Sequence, residues 1–361
     1  MPAEKGDAMF AYVGCYTTRE REARGEGIGV YRVDRSTGEW NPVQCVPDLV
    51  NPSFLAVHGG GRVLYAVHGD EDDVTAFAIA EDSGRLSLLN RRKLGGRNGV
   101  HLSIDPLNRF LVTANYANGT VSVVPLEVDG SLGARIATVA LPGEPGPHRT
   151  QQTGSRPHFI PFDPSGRFVL VPDKGLDRVF IFRLDEREGR LVPNDPPFVM
   201  ARPGAAPRHM AFHPSAPYAV VNNELDSTLT ACHWDGERGR LEPFQIVPSL
   251  PDSFTGANTT AEIAIDPTGR FLYVSNRGHD SVGIFAIDPA TGRLAPIGWE
   301  ASRGRRPRFF ALDPAGRFLY AANEASDTIV AFRVDPQHGT LDPTGQVIET
   351  ASPACIVFAG R

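Results

Sequence analysis

EIAIDPTGRFLYVSN at residues 262–276 recurs, with the same punctuation, as FFALDPAGRFLYAAN at 309–323, HLSIDPLNRFLVTAN at 101–115 and HFIPFDPSGRFVLVPD at 158–173. RHMAFHPSAPYAVVNN (208–223) is a further copy and FLAVHGGGRVLYAVH (54–68) a weaker one. The residue before each turn, here called the anchor, is His58, Asp105, Asp163, His213, Asp266 or Asp313, which spaces the copies 47 to 58 residues apart. A chain of 361 residues holds about seven such units.

Each unit reads as a four-stranded antiparallel meander. The first strand ends at the anchor, and D-P-x-G-R is a turn in which Pro supplies a fixed φ and Gly tolerates a positive one. The second strand is FLYV-like and dense in β-formers. A polar loop leads to a third strand such as SVGIFAID (281–288) or TIVAFRVD (328–335), and a TGRL-type turn (291–294) opens the fourth. Four short strands at this period predict an all-β, seven-bladed β-propeller. The ends agree. AYVGCYT (11–17) matches a second strand with no first, and PACIVFAG (353–360) a first strand with no second, so the two are expected to pair and close the ring. The whole chain, 1–361, is then one propeller domain with residues 1–8 as a flexible tail.

Composition supports this and narrows the function. The 37 Gly and 31 Pro favour turns over long helices, and a net charge of −6 argues against a general nucleic-acid binder. No run approaches 18 apolar residues and the polar start, Met1 to Ala8, does not resemble a secretory leader. Cys15, Cys45, Cys232 and Cys355 are scattered, which fits a reducing, cytoplasmic setting. The expectation is a cytoplasmic protein with no membrane or nucleic-acid partner, a monomer or weak homodimer. Trp234-Asp235 is an isolated dipeptide, so WD40 repeats are excluded. GEGIG (25–29) lies between strands and opens no helix, so it is a poor nucleotide-binding loop.

In a hairpin the start of the first strand and the end of the second share an edge, and all blades turn that edge to one mouth of the ring. Four or five residues before the anchors stand Ser53, His101, His158, Arg208 with His209, Glu262 and Arg308. Ten after them stand His68, Asn115, Asp173, Asn223, Asn276 and Asn323, with Cys15 as the N-terminal equivalent. One step later come Gly69, Tyr116, Lys174, Glu224, Arg277 and Glu324, with Tyr16 in the first blade. The Asn residues suit turn-capping. The varied residues beyond them gather cations and histidines, and point to an anion site. The histidines lack H-x-H or H-E-x-x-H spacing, so no metal or other cofactor is expected.

APRHMAFHP with VNNEL (206–225), SRPHF with FDPSGRFVLVPD and DRV (155–179), HLSIDP with TANYANGTVSV (101–123) and AEIAIDPTGRFLYVSNRGHDSV (261–282) resemble the lactonase-type seven-bladed propeller family. That family holds propeller-type bacterial 6-phosphogluconolactonases and fungal carboxymuconate-lactonizing enzymes. The resemblance implies a lactonase, hydrolysing 6-phosphogluconolactone in the pentose phosphate pathway. It implies His158, Arg208, Glu224 and Arg277 as catalytic residues, each already placed at the mouth by the repeat, with His158 as base, Glu224 orienting it or sharing the proton transfer, and Arg208 and Arg277 holding the oxyanion and the substrate's phosphate or carboxylate. His101, Tyr116, Lys174, His209 and Arg308 are expected to bind substrate. Relatives often carry a histidine where Arg156 stands, which bears on substrate preference. A carboxymuconate-type cycloisomerase and a non-catalytic binding platform are the alternatives.

Overall fold

The structure, a computed structural model, describes residues 8–360. The predicted tail, residues 1–8, lies outside the described residues except for Ala8. Seven sheets follow one another around a ring. Blade 1 takes its innermost strand, Pro353–Ala359, from the C-terminus and its next, Met9–Cys15, from the N-terminus, followed by Ile28–Val33 and Trp40–Val46. The two termini pair antiparallel from Phe10 with Ala359 to Cys15 with Pro353. Blades 2, 3, 5, 6 and 7 start at Pro52, Gly99, Pro207, Thr259 and Pro307 and each holds four strands.

Blade 4 departs from the expected pattern. Its regular strands are Phe168–Asp173, Arg178–Asp185 and Arg190–Met200. The segment expected to be its innermost strand is held only by bridges from Pro157 to Asp173 and from Phe162 to Val169. The cause is local. Pro157 and Pro161 on this segment and Pro172 opposite remove ladder donors. Between the two bridges, the backbone bonds kept are His158 N–H to Pro172 O at 3.0 Å and Leu170 N–H to Pro161 O at 3.0 Å. His158 therefore sits in an irregular segment, not at the start of a strand as its repeat position predicts.

The anchors are capping residues. Asp105, Asp163, Asp266 and Asp313 are buried, and Oδ1 of each accepts the backbone N–H five residues on, at 2.6, 2.9, 2.7 and 2.8 Å. The carboxylate closes the turn from inside. Gly166, Gly269 and Gly316 take φ near +70° in these turns, and Asn108 takes that conformation where the repeat lacks Gly.

The apolar core lies between blades. Alternate residues on each strand face the next sheet, so each buried cluster joins adjoining blades. Buried tyrosines add polar ties across the same joints. Tyr12, Tyr65, Tyr273 and Tyr320 donate to the carbonyls of Gly84, Gly130, Gly339 and Gly38 at 2.7–2.9 Å. The last of these crosses from blade 7 to blade 1. No helix among the described residues is long and apolar enough to cross a membrane.

Candidate active site

At the strand-start mouth, the residues ten past each anchor are structural. Asn115, Asn223, Asn276 and Asn323 donate to hydroxyls or carbonyls of neighbouring loops and strands. His68 at the same position bridges Val50 O and Thr75 Oγ1, both at 2.8 Å. Asp173 accepts from Ser155 Oγ and from the backbone of Arg156, Gly175 and Leu176. This buried polar ring fixes the loops that carry the residue one step further on.

Those further residues converge. Lys174 Nζ donates to Glu224 Oε1 at 2.8 Å. Arg208 Nε and an Arg277 terminal nitrogen stand 3.1 and 3.4 Å from Glu224 Oε2. The two arginines are also tied to backbone. Arg208 donates to Ala261 O, and Arg277 to Thr260 O at 2.8 Å. Gln151 Oε1, on the loop before blade 4, accepts from Lys174 Nζ at 3.3 Å, and Gln152 Nε2 donates to Lys174 O at 2.9 Å. Burial alone would push the Glu224 carboxyl up. Arg277, Lys174 and Arg208 overcome it and hold the group well below the usual carboxylate range. Burial, with Arg277 and Arg308 nearby, pulls Arg208 down to about 9.

His158 is 6% exposed, and its Nδ1 is buried with no hydrogen-bond partner among the described residues. Its ring centroid is 5.8 Å from Tyr116 and 5.2 Å from His209. Burial first, then the charge on Arg208, depresses its pKa well below the usual value, so the imidazole is neutral at pH 7. Among the described residues no hydrogen bond joins Glu224 to His158. Glu224 thus does not orient this histidine through a hydrogen bond, because both carboxylate oxygens face cations.

His101 and His209 lie beneath this layer. His101 Nδ1 accepts the Ile160 N–H at 3.1 Å, and its ring packs 4.3 Å from Phe54 and 3.9 Å from Phe159. His209 stacks 4.3 Å from Phe159, and its Nδ1 is 3.2 Å from Glu262 Oε1. Burial pushes the Glu262 carboxyl up to about 8 and keeps His209 well below its ordinary pKa, so both are uncharged at neutrality. The repeat places Glu262 at the mouth, but spacing along the chain gives it no partner. Its pairing with His209 across adjacent innermost strands is visible only in three dimensions. Tyr116, Arg277 and Arg308 are the least buried members of the set and form its outer face. Arg156 stacks 5.3 Å from Tyr116 and donates to Tyr116 O and Ala117 O. A separate cavity of about 500 Å³, lined by Phe54, Leu102, Asp105 and Pro161 among others, lies towards the turn end of the channel. Its lining includes none of Lys174, Arg208, Glu224, Arg277 and Arg308.

The arrangement offers a neutral base, fixed guanidiniums and an ammonium in a mostly buried site. That set suits attack by water on a carbonyl and stabilisation of the oxyanion that forms. Comparison with known proteins points the same way. The family described as lactonase, 7-bladed beta-propeller, matches residues 10–358. The 6-phosphogluconolactonase of Bacillus subtilis (strain 168) is 33% identical over 303 residues, covering 83% of this chain and 84% of its own. The 6-phosphogluconolactonase of Formosa agariphila is 31% identical over 311 residues, covering 83% and 85%. The periplasmic gluconolactonase PpgL of Pseudomonas aeruginosa superposes with a TM-score of 0.90 at 31% identity, covering 98% of this chain and 99% of its own.

Proposed function

The chain belongs to the lactonase family of seven-bladed β-propellers, and from that membership we propose that it hydrolyses 6-phosphogluconolactone to 6-phosphogluconate. The observation that carries this reading is the excess of buried cation around a neutral histidine: Lys174, Arg208 and Arg277 share one carboxylate, Glu224, beside His158. Relatives named for 6-phosphogluconolactone and gluconolactone hydrolysis support the substrate class.

In the proposed reaction His158 takes a proton from water as the water oxygen bonds to the lactone carbonyl carbon. The negative charge gathers on the former carbonyl oxygen and is met by Arg208 and Arg277, which backbone contacts hold in place. The intermediate collapses by breaking the ring C–O bond, and His158 returns the proton to the departing ring oxygen. Glu224 fixes the three cations and moderates their charge. His101, His209 and Glu262 pack behind the base, and Tyr116 and Lys174 line the substrate side. No cofactor takes part. The four unpaired cysteines fit a reducing compartment, and the cytoplasm is proposed on that ground.

The test is steady-state hydrolysis of 6-phosphogluconolactone, gluconolactone and a muconolactone, with spontaneous hydrolysis subtracted. Preferred turnover of the phosphorylated lactone supports the reading. Preference for the muconolactone would reassign the substrate, and no turnover of any would leave a binding platform.

A further inference from the structure

Arg308, second residue of the blade 7 strand Pro307–Leu312, differs from every other cation of the site. Lys174, Arg208 and Arg277 all face Glu224. The side chain of Arg308 makes no hydrogen bond or ion pair with any described residue. Its only contact of note is with an aromatic face, the Tyr16 ring, whose centroid lies 5.1 Å away. Arg21 approaches the same ring to 4.5 Å, but its guanidinium is forked onto Asp70 at 2.5 and 2.7 Å. Tyr16 thus positions one arginine whose charge is already matched and one whose donors are free.

The surrounding charge does not balance. Glu224 and Glu324 are the carboxylates facing Arg308, whereas Lys174, Arg208, Arg277 and Arg308 bring four cations. Glu262, which Arg308 also reaches, is mostly protonated at neutral pH because burial raises its carboxyl to about 8. A partly desolvated guanidinium with five unused donors, in a site with two more cations than carboxylates, is built for an incoming dianion. Glu324 Oε2 is buried without a hydrogen-bond partner and faces both Arg277 and Arg308. A phosphate monoester carries about two charges at pH 7 and three acceptor oxygens, which matches the surplus.

Resting on the lactonase reading above, we infer that Arg308, steadied on Tyr16, is the seat of the substrate's phosphate. This separates the anchoring of the phosphate from the arginines that meet the reacting carbonyl. Arg208 and Arg277 are held by Glu224 and by backbone carbonyls, so they are placed to polarise. Arg308 is free to bind.

The experiment compares Arg308→Leu and Arg308→Lys with the parent protein on phosphorylated and unphosphorylated gluconolactone, with circular dichroism as the folding check. In Arg308→Leu the loss of kcat/KM is expected to be about 10- to 150-fold larger on the phosphorylated lactone, the range for a charge-assisted contact. Arg308→Lys is expected to recover part of the discrimination, since a point charge replaces a planar fork. In parallel, inorganic phosphate is titrated into each protein by calorimetry, with weaker binding expected for Arg308→Leu. Equal losses on both lactones, or phosphate binding unchanged by Arg308→Leu, would overturn the assignment. If the parent protein hydrolyses neither lactone, the substrate reading falls, and the phosphate titration still decides the role of Arg308.

Discussion

Lys174 Nζ and Glu224 Oε1 meet at 2.8 Å although the residues lie 50 positions apart, at the same repeat position on adjoining blades. One blade contributes the cation and the next the carboxylate, so the site is assembled by ring geometry and not by any one blade. Glu224 is the shared counter-charge for Lys174, Arg208 and Arg277, and all four are largely buried. Glu224→Gln leaves three cations in low dielectric without their anion. A loss of stability of about 3–5 kcal/mol is expected, as for breaking one partner of a buried ion pair. Denaturant unfolding measures it. A variant inactive yet as stable as the parent would show that Glu224 acts in chemistry alone.

Deleting residues 353–361 removes the innermost strand of blade 1. That strand pairs with Met9–Cys15 and buries Cys355 and Ile356. The ring then opens, with a bare strand edge where the closure was. The expected outcome is an aggregation-prone protein or a drop in Tm well beyond the few degrees of a single surface change. A truncated protein with unchanged thermal unfolding would show that the terminal pairing does not hold the ring.

Buried titrating groups set opposite pH trends in stability. His68 is pulled down to about 4, chiefly by burial, from an ordinary value of 6.5. The unfolded chain takes up a proton that the folded one refuses, so the contribution of His68 is present in full above pH 6.5 and is lost as pH falls towards 4. By the size of that shift the loss is roughly 3 kcal/mol. Asparagine occupies this position in four other blades, so His68→Asn is the matched variant, and it is expected to lose less stability than the parent between pH 7 and pH 4. Glu262 runs the other way. Raised to about 8, chiefly by burial, its contribution is full below pH 4.5 and is lost as pH rises through 8. Glu262→Gln should therefore be less sensitive to a rise from pH 5 to pH 9. Tm measured across pH 4–9 for both variants checks both signs.

The repeat made the architecture legible because each D-P turn has a physical cause, an aspartate capping its own hairpin, that leaves the same mark in every blade. The mouth was legible for the same reason, since Lys174, Glu224 and Arg277 occupy one repeat position. Blade 4 was not, because Pro157, Pro161 and Pro172 break a ladder that the spacing alone implies. The partners of Glu224 and Glu262 were not legible either. Which carboxylate meets which cation depends on rotamers across blades, and spacing along the chain says nothing about those. Arg308 stands at the mouth by its repeat position, but that no carboxylate pairs with its side chain shows only once its neighbours are placed.

Chelation should leave hydrolysis intact. Among the described residues, the trio of potential ligands whose donor atoms come together is Glu71, Asp72 and Asp73. Asp72 and Asp73 already face Lys93, and Asp73 also takes Arg91. At the site itself the three histidines share their space with Arg208, whose charge disfavours a cation there. Prolonged treatment with a strong chelator, followed by assay in metal-free buffer, measures this. Loss of activity restored by a single divalent ion would establish a metal-dependent reaction.

The last expectation concerns the base. His158 is neutral at pH 7 because burial and Arg208 disfavour its protonation. A base that resists protonation stays competent in acid, so the acid limb of kcat/KM is expected well below pH 6.5. Low pH also slows the spontaneous opening of the lactone by hydroxide, which makes the limb measurable. His158→Gln keeps the hydrogen-bonding character of the side chain but cannot take the proton. Its kcat should fall by on the order of 10²–10⁴-fold, the usual cost of losing a general base, with a smaller change in KM. The acid limb should disappear with it. A folded His158→Gln protein of full activity would remove the histidine base. A limb near pH 6.5 in the parent protein would mean that the titrating group is solvent-exposed, and hence not the buried imidazole.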